Sequence, residues 1–205
     1  MPADLTDAEA LREIEHKLAR DTHLDLLVNN AGFGTNGDFA SLDVGREEDE
    51  IRLNILALTR LTRAALPGLI RRGAGGVINV SSLAGFQPAP FNATYGATKA
   101  FVNSFTEALY EELRGTGVRV MALCPGFTRT EFQDRAGIDA SGIPSLAWMS
   151  AEAVVDAAMA GYLRGDAVCV PGFGNWALSS VTAALPRRLV RRLLGVASAR
   201  VLRKH

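Results

Sequence analysis

The 205-residue chain predicts an α/β protein built on an open parallel sheet, and three observations point there. Apolar runs at Leu26–Val28, Val77–Val80, Val118–Leu123 and Ala167–Val170 have the length and β-branched character of buried strands. Stretches of helical periodicity lie between them. The run ending at Val80 is followed by two serines, and open α/β sheets collect ligands at the carboxyl ends of their strands.

Composition narrows the function classes. Basic and acidic residues balance at 22 each, so no bulk attraction to nucleic acid is expected. No run is long enough to span a bilayer, and the length suits one domain. Cys124 and Cys169 lie in or beside apolar strands, and the start MPADLTDAEA lacks a signal-peptide pattern; a cytoplasmic protein is expected. His16, His23 and His205 are scattered, which argues against a zinc site.

Taken in order, the first twenty residues predict an amphipathic helix with Thr6 or Asp7 as N-cap and Leu11, Ile14 and Leu18 on one stripe. LDLLVNNAG reads as a strand and turn. A literal G-x-G-x-x-G follows at Gly32, Gly34 and Gly37, but Asp38–Leu42 opens no helix behind it to present N–H groups to a phosphate, so a phosphate loop is not the preferred reading. Asp43–Arg72 carries Ile51, Ile55, Leu58, Leu61, Ala65 and Leu69 on one stripe, with Pro67 expected to kink its end. Asn54 sits on that stripe and, by residue type alone, reads as a satisfied core amide.

The strand Val77–Val80 ends at Ser81 and Ser82, and a loop with Pro88 and Pro90 leads into a helix over Thr94–Arg114. Tyr95 and Lys99, four apart, project from one face of that helix. A phenol titrates near 10, and serving as an acid/base near neutrality takes a drop of about 3 units, or about 4 kcal/mol. An ammonium about 4 Å away supplies that only at an effective dielectric near 20, so the pair needs a partly dry cleft. Phe101 and Phe105 read as core or subunit contacts. Pro125–Gly126 turns the chain after the next strand. Arg129–Ser150 loses periodicity while holding Phe132, Ile138, Leu146 and Trp148, which suggests an apolar lid and a fairly hydrophobic substrate. A helix over Ala151–Leu163 and the strand Ala167–Val170 complete the sheet.

Ser82, the thirteen-residue step to Tyr95, and the Tyr-x-x-x-Lys of YGATK resemble the short-chain dehydrogenase/reductase family. The resemblance extends to Asn29-Asn30-Ala31-Gly32, to Asn54, and to CPGFTRT from Cys124 to Thr130. It implies a Rossmann-like, doubly wound fold and hydride transfer between NADP or NAD and a carbonyl or secondary alcohol. It further implies that Asn54, Ser82, Tyr95 and Lys99 are catalytic, with Asn54 ordering a relay water, Ser82 holding the substrate oxygen and Lys99 depressing the Tyr95 pKa. Asn29, Ala31, Gly32, Tyr95, Lys99, Pro125, Gly126, Thr128 and Thr130 would contact the cofactor. The two long helices would make a homo-oligomer interface.

The chain departs from the family at its front. The phosphate-binding T-G-x-x-x-G-x-G of the family's first strand has no counterpart, and Met1–Leu5 would match the end of the third strand. A partial domain over 1–175 is therefore expected, missing the first two to three strands. A second reading is a non-catalytic remnant or partner subunit unable to hold a dinucleotide; a third is that the working protein begins upstream. The tail, 176–205, is a separate basic segment. Leu189, Val190, Leu193, Leu194, Ala197 and Val201 form one helical face, with Arg187, Arg188, Arg191, Arg192 and Lys204 mostly off it. Such a helix suits an anionic membrane surface, or packs over the cleft or a subunit with its arginines in water.

Overall fold

Strands β1 (Leu26–Asn29), β2 (Gly76–Val80), β3 (Arg119–Leu123) and β4 (Val168–Cys169) form one parallel sheet in that order in the computed structural model, which describes residues 2–137 and 143–201. The pairing sets Asn29 opposite Asn79 and Val80 opposite Leu123, so the strand ends bearing the candidate residues lie side by side. Both faces are covered, as the expected doubly wound arrangement requires. Val77 and Val120 pack under Ala65, Leu66, Leu69 and Leu113 on one face. Ile78 and Met121 pack under Val154, Ala158 and Tyr162 on the other. The alternation is the period-2 rule at work, and each such burial contributes about 1.5–3 kcal/mol.

The helices follow their sequence signals. Helix α1 (Ala8–Arg20) starts where the Asp7 carboxylate accepts the N–H groups of Glu9 and Ala10, and its Leu11, Ile14 and Leu18 cover Ala57 and Leu61. Glu15 of α1 also accepts from Nε and Nη2 of Arg60, one carboxylate oxygen to each. The expected single helix over Asp43–Arg72 is interrupted: α2 (Val44–Ile51) passes through a π-helical turn at Arg52–Ala57 into α3 (Leu58–Arg72). Such turns recur at functional sites, and Asn54 lies inside this one. Helix α3 accommodates Pro67 and ends at Gly73 in the left-handed region. Helix α4 (Ala93–Glu112) carries Tyr95 and Lys99 in its first two turns. A short α5 (Phe132–Arg135) follows β3, and α6 (Ala151–Arg164), capped by the Ser150 hydroxyl, precedes β4.

Polar side chains also cross the sheet. The Asn29 amide donates to Asn79 Oδ1 at 2.8 Å and to Thr62 Oγ1 on α3 at 2.9 Å. Asn79 in turn donates to Thr106 Oγ1 on α4 at 3.0 Å. All four are buried, so each hydrogen bond satisfies groups that would otherwise be costly.

Behind β4 the chain forms α7 (Phe173–Ala184), a helix absent from the sequence expectations, and α8 (Arg187–Val201). Helix α7 crosses the expected boundary at 175/176 and packs on the turn after Ser82, so the tail begins inside the folded body. On α8 the apolar face is split: Val190 is buried, while Leu189 and Leu193 are exposed beside exposed Arg188, Arg191 and Arg192. No described helix is long and apolar enough to cross a membrane.

Candidate active site

Three strand ends and the start of α4 converge here. Ser82 stands two residues past β2 in extended backbone, and its hydroxyl accepts the Ala84 N–H at 3.1 Å, which holds it at the head of a 3-10 turn (Leu83–Phe86). The same hydroxyl approaches the Tyr95 phenol closely enough to favour its ionised form. Lys99 is 5 % exposed, and its Nζ donates to Val80 O at 2.8 Å while lying 5.7 Å from the centre of the Tyr95 ring. Ser81 fixes the helix from below by donating to Lys99 O at 2.9 Å. The structure thus brings Ser82, Tyr95 and Lys99 together.

The turn after β1 supplies the opposite wall. A Cβ on Gly32 would meet Asn54 Oδ1 at 2.8 Å and Lys99 Nζ at 3.6 Å, and one on Gly34 would meet the Tyr95 ring at 2.9 Å. These glycines let the backbone press against Asn54, Lys99 and Tyr95, and the helix that a phosphate loop needs is replaced by a 3-10 turn at Phe39–Ser41. Asn54 fastens this wall. Both its amide hydrogens are used, to Phe33 O at 2.8 Å and Thr98 Oγ1 at 3.1 Å, and its Oδ1 accepts the Phe33 N–H at 3.2 Å. Its side chain is a brace between the turn and α4.

The segment after β3 closes the third side. Pro125 O accepts the Leu83 N–H at 3.0 Å, and Gly126 lies against the Asn175 amide of α7. Thr128 Oγ1 donates to Gly126 O at 3.2 Å, and Thr130 Oγ1 accepts the Phe132 N–H at 3.2 Å, at the head of α5. Phe132 meets the Tyr95 ring with centroids 5.4 Å apart, and Phe127 meets Trp148 at 5.6 Å. The expected apolar lid therefore has Phe132 and Trp148 in contact with the site walls, while Leu146 stands 97 % exposed. Ile138 lies outside the described residues. A separate open cleft of about 420 Å³, lined by Phe86, Pro88, Ala89, Ala93 and Ala97, sits near the same 3-10 turn without Ser82, Tyr95 or Lys99 in its wall.

Electrostatics reverse one expectation. Burial pushes the Tyr95 phenol up to about 12, with the Ser82 hydroxyl opposing and the Glu50 carboxylate adding to the rise. The Lys99 ammonium, bonded to Val80 O, is itself brought down to about 8 by burial. Glu50, unremarked in the sequence, is fully buried on α2 and is pushed up to about 7 by desolvation. Asn175 is the other neighbour that sequence reasoning missed; its place depends on α7 folding back to the strand ends.

Residues 1–140 match the family model described as short chain dehydrogenase. The ketoacyl reductase HetN of Nostoc sp. is 41% identical over 104 residues, 51% of this chain and 36% of that protein. A short-chain dehydrogenase from Sphingobium yanoikuyae, solved in complex with NADPH, is 35% identical with a TM-score of 0.79, covering 90% of this chain and 75% of the other. The bulky-bulky ketone specific alcohol dehydrogenase from Comamonas testosteroni is 31% identical with a TM-score of 0.74, covering 91% and 74%. The chain spans about half the length of the curated relatives it matches. With that match running over both strand ends that hold Asn29 and Ser82 and on through Tyr95 and Lys99, the chain belongs to the short-chain dehydrogenase/reductase family.

Proposed function

We propose that this chain works as an NAD(P)-dependent oxidoreductase that moves a hydride between nicotinamide and a carbonyl or secondary alcohol of a fairly hydrophobic small molecule. The observation that carries the reading is the convergence of Ser82, Tyr95 and Lys99 behind two glycines that leave the backbone flush against them. The residues fit a nicotinamide riboside. Among the described residues Lys99 Nζ spends one of its three N–H groups, on Val80 O, which leaves two for vicinal ribose hydroxyls. Asn29, Ala31 and Gly32 from the β1 end and Pro125, Gly126, Thr128 and Thr130 from the β3 end would flank it, and the bound group supplies or accepts the hydride.

The chain's own residues manage the proton. A phenol held up to about 12 is protonated at neutral pH, so Tyr95 is set as the acid of carbonyl reduction. As the carbonyl carbon gains hydride, its oxygen takes the Tyr95 proton, and the phenolate left behind is stabilised by the Lys99 ammonium and the Ser82 hydroxyl. The apolar rings of Phe132, Phe127 and Trp148 keep that exchange out of water. They support a hydrophobic substrate, and the bulky-ketone enzyme among the relatives points the same way. In this reading the chain assembles with copies of itself through α2–α3 and α4, where Ile51, Leu56 and Phe101 are exposed, and the Leu189–Arg192 face of α8 rests on an anionic membrane.

The test is cofactor binding by the purified chain: NADPH, then NADH, titrated against Trp148 and Trp176 fluorescence, with turnover on a panel of apolar ketones. Saturable binding and turnover that Tyr95→Phe abolishes are expected. A folded chain that binds neither dinucleotide overturns the catalytic reading and favours the partner-subunit one.

A further inference from the structure

Lys99 poses an electrostatic problem. Its ammonium is buried, its hydrogen bond among the described residues goes to a neutral carbonyl, and it makes no ion pair there. A lone charge in such surroundings tends to lose its proton, yet a neutral amine would do little for a phenolate at Tyr95.

A buried anion is close by. Glu50 is 0 % exposed, one turn before Asn54 on the same helical run. Its Oε2 accepts both the N–H and the hydroxyl of Thr35, each at 2.9 Å, while Oε1 has no hydrogen-bond partner among the described residues. Thr35 ends the stretch whose Gly32 presses on Asn54 and Lys99 and whose Gly34 presses on Tyr95. Asn92 pins the other side of Thr35 by donating to its carbonyl at 2.6 Å. Glu50 therefore grips the far end of the wall that touches the catalytic side chains.

We infer that Glu50 is a positioning residue of this site, a counter-charge held at a distance that keeps the buried Lys99 ammonium protonated while its carboxylate clamps Thr35 and the glycine wall in place. The inference deepens the proposed function and rests on it for the roles of Lys99 and Tyr95. Several other groups share the field. Glu47, on the same helix, is bonded by the Thr94 hydroxyl and repels Glu50; Tyr95 and Lys99 face it from α4. Cys124, beyond β3, also faces Lys99, but burial pushes its thiol up to about 12 and it stays neutral in the range that matters. Glu50 itself, held to about 7, gains its charge close to neutrality. Below that pH Lys99 is protonated without help; above it the ionised Glu50 holds the Lys99 proton on until it leaves near 8.

The experiment needs no cofactor. Lys17, Lys99 and Lys204 are the chain's lysines, so a ¹³Cε-lysine NMR titration from pH 5 to about 10 resolves Lys99, assigned with Lys99→Arg. In the unaltered chain the Lys99 signal should show its main midpoint near 8 and a smaller inflection near 7 from Glu50. Glu50→Gln keeps an acceptor for Thr35 but carries no charge; it should erase the inflection and lower the main midpoint by about one unit. Thr35→Val removes one clamp bond and keeps the carboxyl; losing the hydroxyl that favours its ionised form should move the inflection upward, while the main midpoint falls by less than about half of the Glu50→Gln shift. An unmoved midpoint in Glu50→Gln overturns the inference, as does an equal shift in both variants, which would assign the effect to the clamp. The readout is independent of turnover: a chain that shows the shift but binds no dinucleotide refutes the proposed function and keeps the Glu50–Lys99 coupling.

Discussion

Gly34 lies flat against the ring of Tyr95, so close that a Cβ at 34 would stand 2.9 Å from Tyr95 Cδ2 and 3.4 Å from Phe132 Cζ. The contact with Tyr95 is tighter than a methyl group tolerates, while that with Phe132 is an ordinary one. Gly34→Ala should therefore push the phenol off its line to Ser82 and lower kcat by about 100-fold, since misplacement by about 1 Å costs that much. Melting temperature should change little, because the ring can yield toward the lid. A Gly34→Ala enzyme with kcat within threefold of the parent would show that the phenol's placement is not set by this contact.

Lys99 sets function against stability. A buried ammonium bonded to one carbonyl costs desolvation that an apolar side chain of similar length avoids. Lys99→Met is expected to leave the melting temperature unchanged or raise it by a few degrees, while turnover falls by at least about 100-fold. Calorimetry beside a ketone-reduction assay checks both halves; a melting temperature well below the parent's contradicts the desolvation argument.

Glu50 makes the fold sensitive to pH in a stated direction. The folded chain holds the Glu50 proton to about 7, whereas the unfolded chain releases it near 4.5. Between those values the folded state binds more protons, so this group's contribution falls as pH rises and is lost by about 7. Glu50→Gln should match the parent below pH 4.5 and exceed it above pH 7 by about 1–3 kcal/mol. Urea melts at pH 4 and pH 8 measure the difference; equal gaps at the two pH values contradict the prediction.

The polar link through the sheet should be worth as much at Asn29 as at Asn79, because each takes part in two of its three bonds. Asn79→Ala removes the bonds to Asn29 and Thr106, and a loss of about 2–4 kcal/mol is expected. Asn29→Ala removes the bonds to Asn79 and Thr62 and should cost a similar amount. A loss under about 1 kcal/mol for either variant in denaturant titrations would contradict the prediction.

What the sequence discloses and what it hides divide along physical lines. Tyr95 and Lys99 are legible because four residues is one helical turn, and Ser82 because a buried β-branched run must end where the sheet does. The helix boundaries and caps, such as Asp7 and Gly73, follow from local chemistry in the same way. Glu50 is not legible. It stands in the acidic run Glu47–Glu50, which reads as a solvated face, and only the tertiary placement of Thr35 buries it. The rise of the Tyr95 pKa is hidden for the same reason: spacing says which groups are neighbours, while desolvation depends on the walls that later close around them. The π-helical turn escapes as well, since the apolar stripe through Ile51, Ile55 and Leu58 reads as one unbroken helix.

The Asn29–Asn79 pair also bears on how the sheet finds its alignment. Parallel strands of valine, isoleucine and leucine look nearly alike to one another when slid by two residues, because the same faces stay buried. Such a slip of β1 along β2 would cost little in apolar contact, yet it would break the Asn29–Asn79 bond and leave a buried N–H and a buried amide oxygen without each other. The amide pair thus acts as a keyway: it admits one alignment and rejects its neighbours, and in doing so it brings the Gly32 turn level with Ser82, with Tyr95 and Lys99 of α4 between them.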